Sequence, residues 1–312
     1  MFSWYSFKPV DTLFFRGAEP MNMGEDHTVS FLFPPPANTI SGAVRTAYLV
    51  QKGVSFNDYA GKNIPEAITD EIGFAGENPP FEIIGPLFMF KNELYIPTPY
   101  NWYGQKYKNK EEYYKTRVYK SFIPETNLIK TKNKLFWVMG GNDDIENLGG
   151  KWINFKSLYS NTVEKEIYKP EYFYTYETRT GIAINNSRSV RKGHLYTFKH
   201  ARLKEDVYLV FGINKNISID EKGTLKLGAE QRFGKYEKIE LDNLNFNGGG
   251  KYYLSLSIQE CNKESNENII ATGKIKYIGG WDLNKQFHKP MVGYFSSGSV
   301  FNKRISENLI TF

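Results

Sequence analysis

Short apolar runs alternate with turn residues along most of the chain, and this pattern predicts many strands and few helices. The first run alternates imperfectly and ends at Gly17, which allows the chain to turn. Lys91-Asn92 forms the turn of a predicted hairpin between the second and third runs. Strands are predicted at residues 4–15, 81–90, 94–96, 172–184 and 207–213.

One helix is predicted after a triple proline, Pro34-Pro35-Pro36, which keeps the chain extended because each ring fixes φ. Asn38 or Thr39 is a suitable N-cap, and Gly53 is the predicted residue after the C-cap. Gly42 lies in the first turn, where the missing Cβ allows another backbone to approach. The apolar residues at helical spacing are Ile40, Ala43, Val44, Ala47 and Tyr48.

The segment 98–120 has an unusual composition, with six Lys or Arg, two acidic and seven aromatic residues and no clear period. We expect an insertion or a mobile projection rather than core. Bases stack on aromatic rings while lysines neutralise phosphates, as single-strand binding requires. Aromatic residues are also enriched in protein interfaces. RNA contact and protein interface therefore both remain open for this segment.

Composition and charge narrow the class of protein. Hydrophobic residues make up 40% of the 312 residues, which is typical of a folded, soluble chain. The net charge of +6 favours a polyanionic partner only slightly. One cysteine, Cys261, cannot form an intramolecular disulfide or a thiolate metal cluster. Without a membrane-length apolar run or a secretory signal, we expect a cytoplasmic protein with no membrane association and no cofactor.

Several motifs in a fixed order carry a family resemblance. They are DTLFFR (11–16), FPPP (33–36), SGAVRT (41–46), ETRTGIAINNSRSVRKGHLYTFKHARL (177–203), LKLGAEQRFG (225–234), GGWD (279–282) and GYFSSGSVF (293–301). The chain resembles the RAMP superfamily of CRISPR effector subunits, and within it the third-subunit family of the type III-B (Cmr) complex. The resemblance covers nearly the whole chain, and the order of the motifs is more specific than any single one.

Strands with a few helices in mixed order indicate an α+β fold. The resemblance implies two ferredoxin-like (RRM-like) βαββαβ RAMP domains with insertions and glycine-rich loops. We place the N-terminal domain at 1–246, with a basic and aromatic insertion near 98–165. A smaller β-rich domain follows at 247–312, after the linker that contains Gly248-Gly249-Gly250. A boundary near residue 165 also fits.

The segment 179–192 is the first candidate RNA site. Arg179, Arg188, Arg191 and Lys192 can bind phosphate oxygens, and Asn185 and its neighbour Asn186 can read base edges. The alternative is an ordinary solvated turn. In the segment 227–234, Arg232 is the expected anion contact.

The C-terminal loop 293–299 resembles the glycine-rich loop of the superfamily. Gly293 and Gly298 permit close backbone approach, and Ser296 and Ser297 offer hydroxyls to phosphate. The Gly-Lys-Ser/Thr ending of a nucleotide P-loop is missing. Relatives commonly have Pro-Ala-Gly-Ser where this loop has Ser-Ser-Gly-Ser, and a simple hairpin turn is the alternative.

The positions of the histidines bear on whether the chain has a catalytic site. His27, His194, His200 and His288 are scattered without metal-ligand spacing. His27 or Asp26, in a loop, could serve an RNA-cleaving enzyme of the superfamily, because a histidine can act as general base on a ribose hydroxyl. A loop histidine is more often only solvated. We therefore predict no catalytic site, with a His27-dependent repeat-RNA endoribonuclease and a purely protein-binding scaffold as alternatives.

The resemblance implies a non-catalytic subunit that binds the 5′ repeat-derived tag of the crRNA. Its implied protein partners are the large polymerase/cyclase-like subunit and the backbone RAMP subunit of the same complex. The predicted RNA-contacting residues are Arg16, Gly42, Arg45, Arg179, Asn185, Arg188, Arg191, Lys192, Arg232, Gly293, Ser296, Ser297 and Gly298.

Overall fold

The computed structural model describes residues 2–16, 31–107, 111–122, 137–139, 144–241, 248–282 and 287–312, without the side chains of 191–196, 281–282 and 288. Its helices are short apart from the first, and a 3-10 turn spans Pro170–Tyr172. The helices are α1 (Ala37–Gln51), α2 (Phe56–Ala60), α3 (Glu66–Ile72), α4 (Phe155–Tyr159) and α5 (Lys263–Asn268).

Strands supply most of the regular structure. They are β1 (Ser3–Pro9), β2 (Ile83–Phe90), β3 (Glu93–Pro97), β4 (Trp102–Gln105), β5 (Tyr113–Lys120), β6 (Ile145–Asn147), β7 (Trp152–Asn154), β8 (Glu164–Tyr168), β9 (Tyr174–Ile184), β10 (Val190–Leu203), β11 (Val207–Ile213), β12 (Lys222–Lys226), β13 (Phe233–Ile239), β14 (Tyr253–Ser255), β15 (Gln259–Glu260), β16 (Ile269–Ala271), β17 (Lys276–Asp282), β18 (Phe287–Phe295), β19 (Val300–Phe301) and β20 (Leu309–Thr311). The mixed α/β class with mainly antiparallel sheet and few helices is confirmed.

The chain forms two compact units. Unit 1 contains Met1–Pro86, Tyr174–Asp242 and Tyr277–Val292; unit 2 contains Leu87–Phe173, Asn243–Lys276 and Gly293–Phe312. The chain therefore passes from one unit to the other five times. One passage, after Asp242, lies beside the predicted linker. The division into domains 1–246 and 247–312 stays a prediction.

In unit 1, the strands follow the order β12-β13-β1-β11, with β1 antiparallel to both neighbours. Alternate side chains form the core: Tyr5 and Phe7 of β1 are buried, and Tyr5 stacks on Phe211 at 5.7 Å between ring centroids. Helix α1 covers this face, where Gln51 donates a hydrogen bond to the hydroxyl of Tyr236. The opposite face of β1 carries Ser6 and exposed Lys8, together with buried Trp4.

Helix α1 begins earlier than the sequence pattern predicts. Its N-cap is Pro36, with extended backbone and no side-chain cap, so the assignment of the cap to Asn38 or Thr39 is wrong. Proline supplies the fixed extended geometry on its own, since φ is held near −65°. The predicted end is confirmed, because Gly53 follows C-cap Lys52 with φ +66°.

Strands β9 and β10 form a two-stranded sheet of their own in unit 1. The predicted end of the first strand at residue 184 is confirmed. The connecting turn spans only residues 185–189, so Arg191 and Lys192 of the candidate segment 179–192 belong to β10, which begins at Val190. Near the base, Ala201 forms an isolated bridge with Leu13, which lies beyond the end of β1.

In unit 2, the strands follow the order β3-β7-β8-β5-β4-β6. Strands β4 and β5 come from the segment 98–120, and Trp102 and Tyr114 are 1% and 3% exposed. The expectation of a projection outside the core is therefore wrong for these strands. Along β5, buried Tyr114 and Thr116 alternate with exposed Lys115 and Arg117. Lys115 and Arg117, two of the charges that suggested an insertion, lie on the outer face of an ordinary amphipathic strand.

Candidate nucleic-acid interface

Three arginines of unit 1 converge on one carboxylate, that of Asp11. Arg179, Arg202 and Arg232 place guanidinium nitrogens 3.1, 2.9 and 2.8 Å from its oxygens. Asp11 follows β1, two arginines come from the β9–β10 hairpin, and Arg232 precedes β13. We call these four residues the arginine cluster. It joins the hairpin base to the edge of the sheet.

Two glutamates share the same guanidinium groups. Arg202 also pairs with Glu177, and Arg232 pairs with Glu230 at 3.1 Å. Desolvation acts to raise the pKa of Asp11. Hydrogen bonds from the Thr12 backbone N–H and from the arginines outweigh that effect and hold the pKa well below its usual range. The charges of the three arginines and the three carboxylates therefore balance. The cluster holds the hairpin base in place and leaves little positive charge for an anion.

A fully buried histidine lies beside the arginine cluster. His200 is 0% exposed, its Nδ1 is 3.1 Å from the hydroxyl of Thr12, and its ring stacks on Phe14 at 5.1 Å. Burial, followed by the nearby positive charges of Arg179 and Arg232, lowers the pKa of its imidazole. His200 is therefore neutral at physiological pH and packs the hairpin base.

The hairpin tip is the most exposed part of the predicted segment 179–192. Arg188 is exposed and adopts φ +62°, while the Asn185 amide donates to the Ser189 hydroxyl at 3.0 Å. Ile182, Ile184 and Val190 are exposed around the same turn. The side chains of Arg191 and Lys192 lie outside the described structure.

The outer face of the β1–β13–β12 sheet carries a lysine surface that the sequence did not suggest. Lys8 and Lys235 are direct cross-strand partners, and the Lys8 ammonium lies 4.9 Å from the centre of the Tyr208 ring. Phe233 is 48% exposed and is paired with Lys226. We call these five residues the lysine face. Like charges directly opposite each other destabilise a strand pair, and a bound polyanion relieves that repulsion.

The predicted residues around α1 divide into two groups. Gly42 is exposed, and a Cβ added there would meet no atom within 4 Å, so its face is open to a ligand. Arg16 is exposed and bridges to Phe31 through its backbone. Arg45 instead donates to the carbonyl of Glu77 at 3.0 Å and also to Tyr59 and Phe74. Arg45 therefore holds the loop after α3, and we do not propose it as an RNA contact.

The C-terminal glycine-rich loop, whose serine hydroxyls were expected to face phosphate, is packed inside unit 2. Ser296 is 4% exposed and donates to the carbonyl of Lys274 at 3.0 Å. Gly298 adopts φ +90°, and a Cβ there would lie 2.6 Å from the carbonyl oxygen of Thr98. Half-buried Gly293 and Ser297 remain nearer the surface. The small residues serve close backbone packing, and Ser296 and Gly298 have no open face for phosphate.

The two candidate catalytic residues, His27 and Asp26, lie outside the described residues. Within the described part of the chain, His, Cys, Asp and Glu form no group of three that could hold a metal ion. No helix in that part is both long and apolar enough for a membrane span.

Comparisons with known proteins give one family. The model of the CRISPR-associated protein family Cas_Cmr3 matches residues 5–248. No curated protein sequence matches the chain significantly.

Two solved structures share the fold, both from the type III-B Cmr-beta complex bound to cognate target RNA. The first is 18% identical with a TM-score of 0.59, covering 97% of this chain and 87% of the other. The second, which also contains AMPPnP, is 16% identical with a TM-score of 0.57, covering 96% and 85%. The family model matches far more than half of the sequence, and the chain therefore belongs to the Cas_Cmr3 family of CRISPR-associated proteins.

Proposed function

We propose that this chain is a non-catalytic crRNA-binding subunit of a type III-B effector complex and that it binds the 5′ repeat-derived tag. The observation that carries the RNA site is the lysine face of unit 1. There, lysines oppose each other beside the accessible ring of Phe233. Its partners in the complex are the large polymerase/cyclase-like subunit and the backbone RAMP subunit.

The lysine face suits an extended single strand. Lys8, Lys226 and Lys235 neutralise successive phosphates, and a base stacks on the exposed ring of Phe233. Stacking of a base on an aromatic side chain contributes about 1–3 kcal/mol and tolerates any sequence. The face therefore supplies affinity, while recognition of the tag sequence needs hydrogen bonds elsewhere.

The hairpin tip supplies the second RNA contact. Arg188 is exposed at the turn, and its guanidinium fork suits bidentate binding of a phosphate. Asn185 lies next to it and offers an amide for a base edge. Arg179 and Arg232 act indirectly, because their bonds to Asp11 fix the hairpin base. Gly42 and Arg16, both exposed, extend the proposed contact surface.

We also propose that units 1 and 2 derive from ferredoxin-like (RRM-like) domains. In unit 1, the central position of β1 and its connection to α1 support this idea. The similarity to chains of the type III-B Cmr-beta complex supports assembly with other subunits. The absence of catalysis is part of the proposal and is tested directly below.

The test is binding of the purified protein to labelled crRNA with and without its 5′ tag, across a salt series. We expect binding that the tag strengthens by about tenfold, that salt weakens, and that leaves the RNA intact. Equal binding with and without the tag would contradict tag recognition. A complete lack of binding would contradict an RNA site formed by this chain alone. Cleavage within the repeat, abolished by His27→Ala, would instead support an endoribonuclease.

A matched pair of variants locates the contact. Arg188→Ala removes the exposed guanidinium of the hairpin tip, and we expect the salt slope to fall by about 1. Arg304→Ala is the control, because Arg304 is similarly accessible in unit 2 but is paired with Glu307 at 3.0 Å. Equal effects of the two variants would mean that RNA affinity depends only on the net charge of the protein.

A further inference from the structure

A cluster of tyrosines lies on the outer face of the unit 2 sheet. Tyr113 is 50% exposed and stacks on Tyr168, with 5.7 Å between ring centroids. Tyr172 packs edge-on against Tyr113 at 5.6 Å and lies 4.8 Å from Tyr168. Buried Tyr95 completes the cluster, with its ring centroid 4.9 Å from that of Tyr168. The rings hold one another in place and leave Tyr113 half exposed to solvent.

Carboxylates surround these rings. The field of Glu93, Glu112 and Glu166 reaches Tyr172, where burial is the largest cause of a raised pKa and Tyr113 and the glutamates add to it. The Tyr168 hydroxyl donates to Glu166 at 2.8 Å. We call Tyr113, Tyr168, Tyr172, Glu93, Glu112 and Glu166 the tyrosine–glutamate surface. Its three carboxylates contrast with the net charge of +6 of the whole chain.

Two of the carboxylates have neutral partners. Glu93 accepts a hydrogen bond from the Asn154 amide at 2.7 Å, and Glu166 accepts one from Tyr168. Lys115 is the cross-strand neighbour of Glu166, but among the described residues no Lys or Arg nitrogen comes within 4 Å of either glutamate. The surface therefore retains acceptor capacity for a cation from another molecule.

From this arrangement we infer that the tyrosine–glutamate surface docks a protein segment through an arginine side chain. A guanidinium is planar, so it stacks on a tyrosine face and donates a pair of hydrogen bonds to a carboxylate at the same time. Phosphate oxygens would be repelled by the exposed carboxylates of Glu93 and Glu166, so the chemistry favours a protein side chain over RNA. This inference goes beyond the proposed function, since it needs neither the tag nor the lysine face.

The first test is photo-crosslinking in the assembled complex. With p-benzoylphenylalanine in place of Tyr113, we expect a crosslink to a protein segment that contains an arginine near the reacting residue. The control replaces Tyr176, which is 48% exposed on the unit 1 hairpin. A Tyr113-position crosslink to RNA, to a segment without basic residues, or to nothing would overturn the inference.

The second test removes charge without changing shape. For the double variant Glu93→Gln and Glu166→Gln, we expect retention of the crosslinked partner to weaken by roughly tenfold, as for an interface anchor. Glu164→Gln is the control, because Glu164 is exposed on the same strand as Glu166 but lies two residues farther from Tyr168. An unchanged thermal melt shows that the double variant folds. Equal retention by the double variant and the control would overturn the inference.

Tag-RNA binding by the double variant separates the two ideas. We expect it to match the unaltered protein, since the lysine face and the hairpin tip belong to unit 1. Loss of tag binding together with loss of the partner would contradict the independence of the two sites and overturn a protein-only role for this surface.

Discussion

Two strand pairs carry lysines in opposite electrostatic settings. On β1 and β13 of unit 1, Lys8 lies directly across from Lys235. On β5 and β8 of unit 2, Lys115 lies across from Glu166, and Arg117 across from Glu164. In the basic segment 98–120, each of these two cations of β5 therefore has a carboxylate opposite it, whereas a strand pair without a basic motif places two lysines opposite each other. Register, rather than local composition, decides which surface attracts a polyanion.

Gly298 of unit 2 and Gly42 of unit 1 have different surroundings. Their substitution gives the largest expected difference in stability. In unit 2, Gly298→Ala forces a Cβ against the Thr98 carbonyl at a positive φ, so we expect a loss of about 2–4 kcal/mol in unfolding free energy. In unit 1, Gly42→Ala meets open space within a helix and should stabilise by about 0.5–1 kcal/mol. Urea denaturation of both variants measures the difference.

The outcome for Gly42→Ala has a second readout. If RNA approaches the exposed start of α1, the added methyl group lowers tag affinity although the protein is more stable. Unchanged affinity would remove Gly42 from the contact surface. A Gly298→Ala protein as stable as the original would mean that the C-terminal loop is not packed as described.

Charge reversal tests the strand-pair comparison directly. For the double variant Lys8→Glu and Lys235→Glu, we expect RNA affinity to fall about 100-fold at low salt and the salt slope to fall by about 2 or more. The same reversal at Lys115 and Arg117 should change affinity by less than about threefold, because glutamates already face both residues. Gel-shift titration measures both. Similar losses in both variants would show that the two strand pairs are electrostatically equivalent.

The arginine cluster should respond to pH. Asp11→Asn removes the shared acceptor of three arginines, and we expect unit 1 to lose about 1–2 kcal/mol at pH 7, since the exposed pairs are partly screened. Because the pKa of Asp11 is lowered on folding, this difference persists above about pH 4 and shrinks as the pH falls further. Urea melts at pH 7 and pH 3 measure it.

The control for that variant is Glu221→Gln. Glu221 is 82% exposed and pairs only loosely with Lys238, at 3.5 Å, so its replacement should change stability by less than about 0.5 kcal/mol. An Asp11→Asn effect that is equally small, or that grows on acidification, would mean that the arginines do not depend on Asp11.

The smallest effect concerns the repulsion within the lysine face. Lys235→Gln removes the like charge opposite Lys8, and we expect unit 1 to gain about 0.2–1 kcal/mol in stability while RNA affinity decreases. Thermal melts and RNA titration of the same variant measure the two changes. A variant that loses stability, or gains affinity, would contradict the idea that this pair is retained for binding.

Local signals predicted the elements that depend on local chemistry. The turn at Lys91-Asn92 has two residues with positive φ, as a tight hairpin turn requires, and Gly53 ends α1 as expected. β11 matches its predicted apolar run, residues 207–213. The start of α1 was missed because proline can set the entry geometry without a capping side chain.

Long-range pairing could not be predicted from a single sequence. Lys8 and Lys235 are far apart in the chain, and no periodicity within either strand shows which residue faces which. Burial of the glycine-rich loop depends on the approach of Thr98, which is equally distant. The arginine motif was found, but its neutralisation by Asp11 and two glutamates depends on tertiary contacts.

The separate β9–β10 ribbon has a consequence for local opening. Apart from the bridge between Leu13 and Ala201, the backbone hydrogen bonds described for the ribbon connect its own two strands, so it opens independently unless contacts at the base oppose the opening. His200 and Ala201 fasten that base, whereas the turn around Arg188 has no comparable buried anchor among the described residues. Amide protons should therefore exchange with solvent in a graded order, earliest at Arg188 and latest at Ala201. Bound RNA would protect the ribbon from its tip inward.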